Sequence, residues 1–128
     1  MENILYEGNV LWATAAEIQE MDFSERFLAR QFSFVPPLSK HRGALCLTDK
    51  SLLIEGDEDL VIPLNRINQL YLGFDEVFLV ASAKNFGMSW QPIRINYGND
   101  LIVYLIIDYN LFGSGNNKFF NLMTELFS

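Results

Sequence analysis

Lys40-His41-Arg42 is the only basic triplet in a chain of 128 residues. An ammonium, a guanidinium and, when protonated, an imidazolium are the donors that gather anionic phosphate oxygens. A solvated loop is the competing reading, because no further basic run supports the triplet. Asp57, Glu58 and Asp59 offer the oxygens that hard cations take. Their spacing matches no twelve-residue calcium loop, so a solvated hairpin tip is expected and no metal. His41 and Cys46 are the sole histidine and cysteine. No nucleophile motif, phosphate-cradling loop or paired-ligand spacing accompanies them, so neither an enzyme nor a cofactor is expected.

The balance of the composition narrows the partners. A formal charge of −7 repels nucleic acid and anionic lipid at long range. Apolar residues make up 50% of the chain, with 11 Phe against 8 Gly and 4 Pro, which is globular. Leu45 and Leu47 flank Cys46 and predict a buried thiol, and a lone cysteine forms no internal disulfide. A reducing, cytoplasmic compartment agrees with this. The start MENILYEG places Glu2 and Glu7 where an export signal carries basic residues. The longest uninterrupted apolar run, Leu101 to Ile107, falls well short of the roughly 18 to 20 residues that a membrane helix needs.

The elements that must position these residues are mostly strands. GALCLT, SLLIE and LVIPL, within Gly43 to Leu64, are short apolar segments bounded by turn formers. Thr48-Asp49-Lys50-Ser51 and Gly56-Asp57-Glu58-Asp59 read as the joints of a meander. Upstream, FLARQFSF alternates Leu28, Arg30, Phe32 and Phe34 against Ala29, Gln31 and Ser33 before Pro36-Pro37. Downstream, INQLYLGF, PIRINY and LIVYLIIDY bring the count to seven, with a turn at Tyr97 to Asp100. The period then changes: Phe119, Leu122, Met123 and Leu126 share one helical stripe, predicting a helix from about Asn117 to Phe127 with Ser114 or Asn116 as N-cap. The expected architecture is mainly β, a single domain over 1–128. Its core is an antiparallel barrel from about Leu28 to Tyr109, plugged by the terminal helix. An added N-terminal strand is expected from Val10 to about Ala15.

The pattern Gly43-x-Leu45-x-Leu47-Thr48-x-x-x-Leu52-x-Ile54, followed by Val61-Ile-Pro-Leu-x-x-Ile67, resembles the strand motifs of GRAM domains. YEGNVL is similar to that family's upstream lead-in, with Glu and Gly in reversed order. The resemblance implies the pleckstrin-homology-like superfold, a seven-strand split barrel capped by a C-terminal helix. It also places Lys40, His41 and Arg42 in the loop between the first two barrel strands, where phosphoinositide-binding relatives often carry basic residues. No catalytic activity follows from it.

Phe74 to Trp90 is longer than a barrel hairpin needs and carries Phe78, Phe86, Met88 and Trp90. Aromatic and methionine side chains are favoured at recognition surfaces, and the competing reading packs them inside the barrel. The functional expectation is a non-enzymatic module that binds a protein partner or a second copy of itself through this group. Anionic-headgroup binding at Lys40 to Arg42, with weak membrane-surface contact, is the alternative, and a carrier of a small apolar ligand is a third.

Overall fold

A computed structural model describes residues 3–20, 41–75, 91–109 and 114–127. Among these residues seven antiparallel strands form one sheet: β1 (Ile4–Thr14), β2 (His41–Thr48), β3 (Ser51–Gly56), β4 (Leu60–Pro63), β5 (Ile67–Leu72), β6 (Ile93–Tyr97) and β7 (Leu101–Ile107). Helix α1 (Ala15–Glu20) continues directly from β1, and helix α2 (Asn116–Leu126) follows β7. The strand order is β4-β3-β2-β1-β7-β6-β5.

The sheet does not close into the expected barrel. β4 and β5 are its two edges, yet only Leu64 to Arg66, a 3-10 turn, joins them. Three residues reach at most about 10 Å, so the sheet must curl until its edges converge at that corner. No ladder forms between them: β4 pairs with β3 alone and β5 with β6 alone, and the chain leaves β4 through Pro63, which has no amide proton to donate.

Alternation decides which face is core. Val10 and Trp12 of β1, Leu45 and Leu47 of β2, Leu52 and Ile54 of β3, and Val103, Leu105 and Ile107 of β7 point inward and meet Phe119 and Met123 of α2. The anticipated helix thus exists one residue earlier than expected at each end. Leu126 stays exposed although the stripe assigned it to the core. Asn116 locks α2 in place. Its Oδ1 accepts the Ile107 amide at 2.6 Å, and its Nδ2 donates to the carbonyls of Gln91 at 2.6 Å and Leu105 at 3.2 Å. The N-cap is Gly115, which has no side chain to cap with, in place of the expected Ser114 or Asn116; Ser114 lies one residue earlier and accepts the Asn116 amide at 3.2 Å.

β7 is buried on both faces from Val103 to Ile107. On its outer face Tyr104 and Ile106 pack with Ala13 of β1 and Ile18 of α1. Two hairpin details follow from the sequence. The Thr48 hydroxyl accepts the amides of Lys50 and Ser51 at 3.1 and 3.0 Å and closes the β2–β3 reversal. Gly43 faces Gly56 across β2 and β3 where the backbones nearly touch: a Cβ on Gly43 would lie 2.3 Å from the Glu55 carbonyl oxygen.

The N-terminal segment differs most from expectation. β1 is an eleven-residue central strand paired with both β2 and β7, in place of an added strand at Val10 to Ala15. The anticipated strand around Leu28 to Phe34 lies outside the described residues.

Candidate functional site

His41 opens β2 and pairs in register with Trp12. The inward alternation of both strands brings their rings together, with centroids 4.3 Å apart. The imidazole side chain is 9% exposed, and both of its nitrogens meet carboxylates: Glu17 Oε2 lies 2.5 Å from Nε2, and Asp57 Oδ2 lies 2.7 Å from Nδ1. Glu58 adds a third carboxylate 3.7 Å from Nε2. Asp57 also accepts the Arg42 amide at 2.9 Å.

Glu17 is held by its own helix. It accepts the Thr14 amide at 2.9 Å while the Thr14 hydroxyl accepts the Glu17 amide at 3.2 Å, a reciprocal capping box at the start of α1. Burial pulls the His41 pKa down, but the bonds to Asp57 and Glu17 outweigh it and the net displacement is upward. For Glu17 burial pushes upward, and the Thr14 amide and His41 reverse it to a net lowering. Asp57 is lowered first by its bond to His41 and then by the Arg42 amide.

Of the anticipated phosphate-binding triplet, Lys40 lies outside the described residues, His41 is enclosed by carboxylates, and Arg42 is exposed. His41 in this setting presents its donors to the protein's own acids, leaving Arg42 as the described member open to solvent. Phe78, Phe86, Met88 and Trp90 lie outside the described residues. Cys46 is half-buried on the outer face of β2, less enclosed than its neighbours Leu45 and Leu47.

A second site lies at the other end of the sheet. Among the described residues β5 is an edge strand whose register shifts between Ile67 and Gln69, and its sequence Ile-Asn-Gln-Leu-Tyr-Leu carries neither charge nor proline. Those are the features that usually block an edge from pairing with another chain, and β4 at the opposite edge has one of them in Pro63. Beside β5, a surface groove of about 330 Å³ is lined by Ile67, Asn68, Gln69, Leu70, Thr124 and Phe127. Phe127 is 47% exposed at its rim, and Tyr71 is exposed on the strand.

The edge is held rigid from its inner side. Arg94 of β6 donates to Asp75 at 3.0 Å and to Gln69 at 3.1 Å, and its guanidinium lies 4.7 Å from the centre of the Tyr71 ring. Tyr104 donates to the same Asp75 carboxylate at 2.7 Å. The sequence carries a signal for the first site, since Thr14-Ala-Ala-Glu17 is a capping-box spacing.

No helix among the described residues is long and apolar enough to cross a membrane. No family model matches the chain, and no curated protein matches it in sequence. Among solved structures it is similar to the C-terminal domain of an unknown protein from Leishmania infantum. The TM-score is 0.56 and the sequence identity 12%, covering 99% of this chain and 86% of that one. At that identity the likeness shows the fold alone.

Proposed function

We propose that this chain is a non-enzymatic interaction module of the pleckstrin-homology-like kind, working in the cytoplasm, that takes an extended segment of a protein partner along β5. The observation that carries this reading is the six-residue uncharged edge of β5 beside the groove against α2. An added strand would satisfy the outward-facing amides and carbonyls of β5, and its alternate side chains would enter the groove towards Leu70 and Phe127. Main-chain pairing supplies affinity in this mode, while the groove selects the side chain. The clamp of Arg94, Asp75 and Gln69 supports it further, because an edge already fixed in its strand conformation costs less to dock upon.

The test is titration of isotope-labelled protein with peptides selected against it from a random display library. Binding peptides shift the amides of Ile67 to Leu72 and of Thr124 to Phe127. They weaken at least tenfold when alternate backbone amides are N-methylated. Selected peptides that bind elsewhere, or that tolerate N-methylation throughout, overturn the reading. Concentration-dependent dimerisation that protects the β5 amides would replace the partner strand with that of a second copy.

A further inference from the structure

α1 is a short element on the outer face of the sheet. It has six residues and buries one side chain, Ile18, against Ala13, Tyr104 and Ile106 on the outer face of the sheet. A helix this short has little stability of its own. Ala15, partly buried, packs against the same cluster, and Glu17 adds a polar tie: one carboxylate oxygen closes the capping box and the other holds His41.

Among the described residues, the elements packed on the imidazole can be named. α1 contributes Glu17, the β3–β4 turn contributes Asp57 and Glu58, β1 contributes the uncharged Trp12, and on its own strand the neighbouring charge is the exposed Arg42. Ionised carboxylates only accept hydrogen bonds, so a ring with one at each nitrogen must donate from both, which only the imidazolium can do. His41 therefore bridges α1 and the β3–β4 turn, 24 and 16 residues away in sequence, through a charge it can lose.

We propose that His41 is a charge latch: while protonated it holds α1 down on the outer face of β1 and β7, and on losing its proton it releases α1 and uncovers Tyr104 and Ile106. The uncovered surface adjoins an open recess of about 530 Å³, whose lining combines Leu11, Ile106 and Tyr109 with the polar Asn9 and Arg42, so release extends that recess. The upward displacement of the imidazole pKa places release on the alkaline side of the ordinary histidine value of 6.5. The latch shares no lining residue with the β5 groove, and the link between them runs through Tyr104, which donates to the Asp75 carboxylate that Arg94 also holds.

A single histidine makes the experiment direct. In the full chain, imidazole resonances report the charge of His41, and the Ile18 methyl resonance reports the seating of α1. Between pH 5.5 and 10 both curves share one midpoint, above 6.5, with Ile18 moving towards its random-coil position as the proton leaves. In Glu17→Gln the Ile18 methyl sits at the released position from the lowest pH, and the proton affinity of His41 falls at least threefold. Asp57→Asn, altered at an exposed turn, lowers that affinity too and shifts the Ile18 midpoint down with it. An Ile18 resonance that stays flat while His41 titrates overturns the latch. So does loss of the His41 proton at or below pH 6.5, or an Ile18 midpoint unmoved in Asp57→Asn.

Discussion

Trp12 and His41 stack across the β1–β2 ladder with ring centroids 4.3 Å apart, at the pair that begins β2. The contact gives the imidazolium an aromatic face on one side and carboxylates at both edges, each of which favours the charged ring. Trp12 Nε1 is buried without a hydrogen-bond partner, so the indole contributes its ring and not its donor.

Stability should therefore depend on pH in a defined window. His41 is raised above its ordinary 6.5, so its contribution is complete below about that pH and is lost as pH rises through the folded value. Glu17 and Asp57 are lowered from 4.5 and 3.8, so theirs is present above those values and is lost as pH falls through the folded ones. Urea midpoints should be flat between about pH 5 and 6.5 and fall on both sides. His41→Gln should remove most of the alkaline fall; an equal fall in parent and variant would assign it to other groups.

Asn116 is the polar residue on which the seating of α2 depends. Asn116→Ala leaves the Ile107 amide and the Gln91 and Leu105 carbonyls without this partner where α2 meets the sheet. An unsatisfied buried group costs about 1 to 3 kcal/mol, and water can reach part of this set, so a loss of about 3 kcal/mol is expected in denaturant titration. A loss below about 1 kcal/mol would mean that water replaces the amide freely.

The hairpins and the terminal helix were legible because their signals are local. Thr48 closes its own turn, and Phe119 and Met123 share one helical face. β1 was not, since Ile4 to Glu20 mixes strand-favouring and helix-favouring residues and the chain uses both in succession. The His41 cluster was hidden for a related reason: Glu17, His41 and Asp57 meet only once the β1–β2 and β2–β3 registers are known. Of the basic triplet, His41 became in space one cation among acids, while Arg42 stays exposed. The open edge was hidden by topology, because nothing in Ile67 to Leu72 says on how many sides the strand is paired.

Gly43 should resist substitution more than its exposed strand neighbour Ala44. A Cβ there meets the Glu55 carbonyl oxygen at 2.3 Å, which is backbone and cannot rotate aside. Gly43→Ala should cost about 2 to 3 kcal/mol by forcing β2 and β3 apart. The same method applied to Ala44→Gly, one residue on at an exposed position, should show less than about 1 kcal/mol, the glycine cost in a strand.

Phe127 separates binding from folding at the β5 groove. At 47% exposed it contributes little to the core, which α2 fills with Phe119 and Met123. Phe127→Ser should therefore shift stability by no more than about 1 kcal/mol in denaturant titration. As an aromatic at the rim of a groove it is the kind of side chain on which interfaces concentrate their energy, so the same change should weaken a β5-binding peptide by about tenfold or more. Introducing a charge at the neighbouring exposed Asn68, as Asn68→Lys, would guard the edge in the way natural sheets do and should weaken the peptide again. A peptide that binds both variants with parental affinity would not be lying along this strand, and β5 would be an edge that the fold leaves unguarded without using it.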